Sequence, residues 1–173
     1  MRKPIVFYQE DPRWGKMVYS SCGNKSQTMR SSGSAPTLAA DIVATLKDKN
    51  ADPWTLAQLA LACGCRTRST GTCWPFFAKV AEHYRFSKFV ETSDWERMIE
   101  CLDAGGYVIC QMMRGYWTPV PNYILAWTYD SLYVYGIMGN RTRRERQRIE
   151  QFKAESRRYF CFYPDGHGEA ADQ

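Results

Sequence analysis

Histidine is scarce in this chain: His83 and His167 are the only two among 173 residues. Chemistry that needs an imidazole base near neutral pH must run through one of these two positions. His83 lies toward the polar end of a predicted helix, and His167 lies in a predicted loose tail. Long apolar runs are also lacking, and none approaches the ~20 residues of a bilayer-spanning helix. The first ten residues are basic, but their apolar stretch is too short for a signal peptide. The expectation is a cytosolic protein, or one exported by a route its N-terminus does not display. No internal repeat or linker interrupts the sequence, so a single domain is expected over 1–165, with a flexible tail over 166–173. Cysteine is not scarce, but its count is odd: Cys22, Cys63, Cys65, Cys73, Cys101, Cys110 and Cys161. Scattered through apolar segments, they read as reduced and mostly buried thiols rather than a disulfide framework. Cys63-Gly64-Cys65 with Cys73 lacks the spacing of a zinc pair, and neither a metal nor another cofactor is expected.

What is present describes a folded protein. Hydrophobic residues at 45% and aromatics at 14% exclude wholesale disorder. The net charge of +5 is modest, and much of it sits in Arg141, Arg143, Arg144, Arg146 and Arg148. Glu145 and Glu150 interleave with these arginines, and Ile149 and Phe152 follow. A solvated amphipathic helix over about 144–156 explains the run more simply than a nucleic-acid patch. Nucleic acid is therefore not an expected partner, and the oligomeric state is left open.

The chain is organised around Ser31-Ser32-Gly33-Ser34-Ala35-Pro36-Thr37 and the periodic run behind it. Small residues and a glycine permit a close approach, and Pro36 suits the first turn of a helix. Leu38, Ile42, Val43 and Leu46 recur at helical spacing, which predicts a core-packed helix from Ser34 to about 47–50. Ser34 then stands where free N–H groups and the positive dipole end point. A cysteine peptidase puts its nucleophile in such a place, and any protein puts an N-cap serine there.

Around this stretch, 5–8 reads as extended and Asp11-Pro12-Arg13-Trp14-Gly15 as a turn with an aromatic anchor, while 20–32 reads as irregular. Asp52-Pro53 caps a second helix that stops at Gly64. A third helix covers Pro75 to about Tyr84, and a fourth covers 95–102, capped by Ser93 or Asp94. The period then changes to two, with strands over 107–112, 122–127, 133–137 and 159–163 and a turn at Asp130-Ser131. A helical first half packed on an antiparallel sheet is an α+β domain.

Several segments, taken in order, carry a resemblance. They are Asp11-Pro12-Arg13-Trp14-Gly15, Ser31 to Thr37, Thr70-Gly71-Thr72 with Trp74 and Phe76-Phe77, and Gly115-Tyr116-Trp117 followed by Asn122-Tyr123-Ile124-Leu125-Ala126-Trp127. Together they resemble the bacterial and phage papain-like peptidases of the C39-like family, in the superfamily of the bacteriocin-leader-processing proteases. The resemblance implies a papain-like α+β fold. It further implies a nucleophilic cysteine opening the central helix, a histidine opening a strand and an aspartate on the next strand. Those positions here hold Ser34, Asn122 and, within Gly136-Ile137-Met138-Gly139, Met138. Gln27 is the candidate for the glutamine that helps form the oxyanion hole.

All three catalytic positions are thus altered. A serine hydroxyl has no accessible anion near neutrality and needs a neighbouring base. Asn122 cannot serve as that base, and Met138 could not orient a histidine. Loss of nucleophile and base together leaves only weak binding and oxyanion effects. The leading expectation is a pseudo-peptidase that holds a peptide or peptide-like ligand in the former active-site cleft, through Gly33, Tyr116, Trp117 and Tyr123. Tyr123 reads equally well as core. Tyr116 and Trp117 lie in a Gly/Pro-bounded loop and read as ligand contacts. A second reading is an active cysteine peptidase or amidase silenced by replacing a native cysteine with Ser34 and a native histidine with Asn122, which Met138-Gly139 argues against. A binder of nucleic acid or an anionic surface through the 141–158 face comes last.

Overall fold

The computed structural model describes residues 2–69 and 71–166. His167 and the tail beyond Gly166 lie outside them. The chain forms two compact units, residues 5–84 with 139–141, and residues 2–4 with 85–138 and the segment from 142 onward.

The first unit is helical. Thr28 caps α1 (Met29–Ser32), its hydroxyl accepting from Ser31 N while Ser31 Oγ accepts from Thr28 N in return. This reciprocal cap orders a turn inside the stretch that reads as irregular, and fully buried Met29 fastens it. Gly33, not Ser34, takes the N-cap position of α2 (Ser34–Leu46), so the serine is the first helical residue. A Cβ on Gly33 would stand 2.5 Å from Met29 O, so only glycine lets α1 and α2 meet this closely. Leu38, Ile42 and Val43 are completely buried, as their spacing predicts, while Leu46 at the end of the same run is half-buried. Asp52 caps α3 (Pro53–Ala62) by accepting from Thr55 N, and Gly64 ends it at φ 72°. Phe76, Phe77 and Val80 of α4 (Pro75–His83) are buried, and the rings of Phe76 and Phe77 lie 5.5 Å apart. The segment 5–8 joins no sheet. It is held by Ile5 N donating to Thr45 Oγ1, and by Phe7 N donating to Asp41 Oδ1. In the turn that follows, buried Trp14 donates its indole N–H to Tyr8 O.

The second unit is a six-stranded antiparallel sheet in the order β1-β6-β2-β3-β4-β5. Its strands are β1 (Phe89–Thr92), β2 (Tyr107–Met112), β3 (Asn122–Tyr129), β4 (Tyr133–Ile137), β5 (Arg146–Arg148) and β6 (Ser156–Phe162). The helices are α5 (Trp95–Asp103), capped by Asp94, and α6 (Ile149–Glu155). One cluster of buried side chains joins α5, the central strands and α6, through Met98, Leu102, Val108, Ile124, Val134 and Phe152. Asp130 closes the β3–β4 turn by accepting from Leu132 N, Tyr133 N and Tyr135 Oη. These bonds hold its carboxyl below the usual carboxylate range.

The arginine-rich run departs from the expected helix over 144–156. Only Ile149–Glu155 is helical, and Arg146–Arg148 forms the edge strand β5. Gln147 is buried between two exposed arginines, a period-two pattern that a polar side chain at the inward position conceals. β1 is absent from the sequence reading because its four residues are too few to display a period.

Candidate functional site

Ser34 opens α2 with its hydroxyl buried and without a hydrogen-bond partner among the described residues. Pro36 contributes no N–H, so the first turn presents only the Ser34 and Ala35 amides. Gly139 lies against this end of the helix. A Cβ there would stand 3.0 Å from Ser34 Cα, 3.2 Å from Ser34 Oγ and 2.7 Å from Gln9 Oε1. Gly139 O in turn accepts from Gln9 N at 2.7 Å. Gln9 is thus a glutamine beside Ser34. Its Nε2 donates to Arg30 O at 2.7 Å and retains a second N–H.

Gln27, the glutamine selected from the sequence, is tied elsewhere. Its Nε2 donates to Arg68 O at 2.5 Å, its backbone O accepts from Tyr19 N, and its Oε1 has no partner among the described residues. That neighbourhood belongs to Arg66, which is buried and donates to the carbonyls of Tyr19, Thr67 and Gly71. Gln27 is close to Ser34 in sequence, but its hydrogen bonds tie it to Arg68 and Tyr19. Gln9 gives a signal in hindsight: it stands two residues before the Asp11-Pro12-Arg13-Trp14-Gly15 turn that carries the resemblance.

Asn122 and Met138 belong to the sheet. Asn122 starts β3, half-buried, with its Oδ1 accepting from Tyr123 N at 2.8 Å. Met138 follows the last residue of β4 and packs in the buried cluster. The register Leu125 opposite Ile137 sets both at the same end of the β3–β4 pair. Neither side chain can carry a proton at neutral pH. His83 is on α4, its ring 4.8 Å from that of Tyr84.

The aromatic candidates divide. Tyr116 is exposed, in edge contact with Trp117, and its N–H donates to Glu155. Tyr123 is half-buried, 6.4 Å from the Phe160 ring. Trp117 corrects the expectation of a ligand contact: it is 2% exposed, and its indole N–H donates to Gln147 Oε1 at 2.8 Å. A loop backbone at the surface has sent this side chain inward, because a buried acceptor there satisfies its only polar atom.

The thiols carry no metal signature. Among the described residues, no group of three His, Cys, Asp or Glu could hold an ion. No helix there is long and apolar enough to cross a membrane.

No family model and no curated protein matches the chain. Solved structures share its fold, two of them peptidase domains. The peptidase domain of Streptococcus ComA, a bifunctional ABC transporter of a quorum-sensing pathway, superposes with a TM-score of 0.59 at 13% identity, over 78% of this chain and 93% of its own. A Bacillus anthracis chain described as a C39-like peptidase gives a TM-score of 0.56 at 12% identity, over 95% of this chain and 100% of its own.

Proposed function

We propose, for a chain whose fold is that of the C39-like peptidases, that catalysis has been lost and a peptide-binding role kept. The observation that carries this reading is Ser34, a buried hydroxyl with no hydrogen-bond partner among the described residues, where that family needs an activated thiol. A serine in this setting has no base to take its proton, and attack on a carbonyl is correspondingly slow. Asn122 and Met138, at the strand positions where the resemblance expects histidine and aspartate, offer no base and no orienting carboxylate. We include in this reading one papain-like domain over 1–165, and Gln9 in place of Gln27 as the remnant of the oxyanion glutamine.

The ligand is a peptide or peptide-like chain, met by Tyr116 and the accessible part of Tyr123. Tyr116 offers a large rigid face with a polar tip. Trp117 contributes by holding the loop beneath Tyr116. Titration of the native protein with fluorescein-labelled peptides, including leader-type and cell-wall peptides, is expected to give saturable binding. Tyr116→Ala should weaken it by about tenfold with no change in thermal stability. Absence of saturable binding across the panel would contradict the proposal.

A further inference from the structure

The arginine run, once it is an edge strand rather than a helix, acquires a different meaning. β5 pairs only with β4 and ends the sheet. In that pairing Tyr133 faces Arg148, Val134 faces Gln147 and Tyr135 faces Arg146. The bonds Gly136 N to Glu145 O and Ile149 N to Leu132 O flank this register on either side. The N–H and C=O of Arg146 and the N–H of Arg148 therefore face away from β4, toward the open edge, while the C=O of Arg148, the N-cap of α6, belongs to the first turn of that helix. An unpaired edge is a template for another strand.

The side chains decide which strand. Arg146 lies 4.2 Å and Arg148 6.0 Å from the centre of the Tyr133 ring, and Arg146 Nη1 donates to Tyr135 Oη at 3.5 Å. Stacking on tyrosine holds a guanidinium while leaving N–H groups for a carboxylate. Among the described residues, no carboxylate forms an ion pair with Arg143, Arg144, Arg146 or Arg148. A second copy pairing edge to edge would bring arginines against arginines, which opposes self-association. Nucleic acid is less well served, because the Tyr133 face is already covered by guanidinium groups and cannot stack on a base.

We propose that the β5 edge binds an extended acidic peptide segment as a seventh strand, its main chain pairing with Arg146 and Arg148 and its alternate carboxylates meeting their guanidinium groups. This is the strand-addition mode of peptide recognition, with backbone bonds giving affinity and alternate side chains giving specificity. The surface adjoins the Tyr116 loop, where Arg144 lies 5.6 Å from the Tyr116 ring, but it does not depend on the fate of Ser34.

The test is fluorescence anisotropy with a labelled peptide of alternating Glu and Thr, against its Lys–Thr counterpart and an oligouridine, at low and physiological salt. The Glu–Thr peptide should bind saturably and the Lys–Thr peptide should not. Arg146→Glu with Arg148→Glu should weaken binding by at least about tenfold. Strand pairing is separated from simple charge attraction at Arg148, whose φ of −61° a proline ring adopts without strain. Arg148→Pro and Arg148→Gln both remove the charge, but only the proline removes the outward N–H. Arg148→Pro should bind about fivefold more weakly than Arg148→Gln, the value of one backbone hydrogen bond. Melting curves confirm that each variant is folded. The proposal is overturned by no saturable binding of the Glu–Thr peptide, by equal binding of the Lys–Thr peptide, by tighter binding of the oligouridine, or by equal affinities for the Pro and Gln variants.

Discussion

Replacing Trp117 with alanine is expected to cost about 3–5 kcal/mol of stability, the range for a large buried aromatic. The indole is buried at 2% exposure and passes its N–H to Gln147 Oε1. Gln147 Nε2 donates to Glu155 Oε2 at 2.7 Å, and the same carboxylate accepts from Tyr116 N. This chain of bonds fastens the loop, the edge strand β5 and α6 to each other. Gly136 makes room for the ring: a Cβ there would lie 3.0 Å from Trp117 Cη2. Truncation therefore opens a cavity and also strands a buried amide oxygen. Trp117→Phe separates the two effects, because it keeps most of the ring and loses only the donor, at about 1–3 kcal/mol. Denaturant midpoints at constant m-value read both. A loss below about 1 kcal/mol for the alanine would mark Trp117 as a surface side chain free for ligand, the role the sequence suggested.

Asp41 gives the second large effect, and its sign depends on pH. The carboxyl is fully buried on α2, with Oδ1 accepting from Phe7 N and Oδ2 without a partner among the described residues. Burial raises its pKa well above 3.8, and the Phe7 bond opposes this only in part. The folded state therefore holds a proton that the unfolded chain releases once pH exceeds its lower value. Stability from this group is fully present below the unfolded pKa and is lost as pH rises toward the folded one. The loss runs at about 1.4 kcal/mol per pH unit. Asp41→Asn keeps the acceptor for Phe7 N and cannot titrate. Relative to the native chain, the variant should gain stability as pH rises above about 4, until the folded-state carboxyl itself ionises. Parallel stability curves for the two proteins would show that Asp41 is ionised inside the fold.

Much of the fold was legible because its elements carry apolar patterns of their own. β2 is a nearly continuous apolar run buried on both faces, and β4 falls where its short run and the Asp130-Ser131 turn place it. The caps Asp52 and Asp94 start α3 and α5. β5 was not legible, because its inward residue is Gln147, a polar side chain buried to bond Trp117 and Glu155. Pattern reading treats a polar residue as outward, and only the tertiary partner reveals otherwise. The same partner explains Trp117, whose loop is on the surface while its ring is not. Around Ser34 the helix start was legible but the neighbouring glutamine was not. Gln9 reaches it through the Gly139 contact, formed between segments far apart in sequence.

Catalytic silence is tested most directly by turnover. The native chain, its Ser34→Ala variant and the double variant Ser34→Cys with Asn122→His are each incubated with a peptide mixture, and products are read by mass spectrometry. The account predicts no cleavage by the native chain above the Ser34→Ala background. It also predicts none by the double variant, whose restored imidazole has Met138 where a carboxylate should orient it. Cleavage by the native chain that disappears with Ser34→Ala would contradict silence outright. Robust turnover by the double variant would show an active peptidase that two substitutions had switched off.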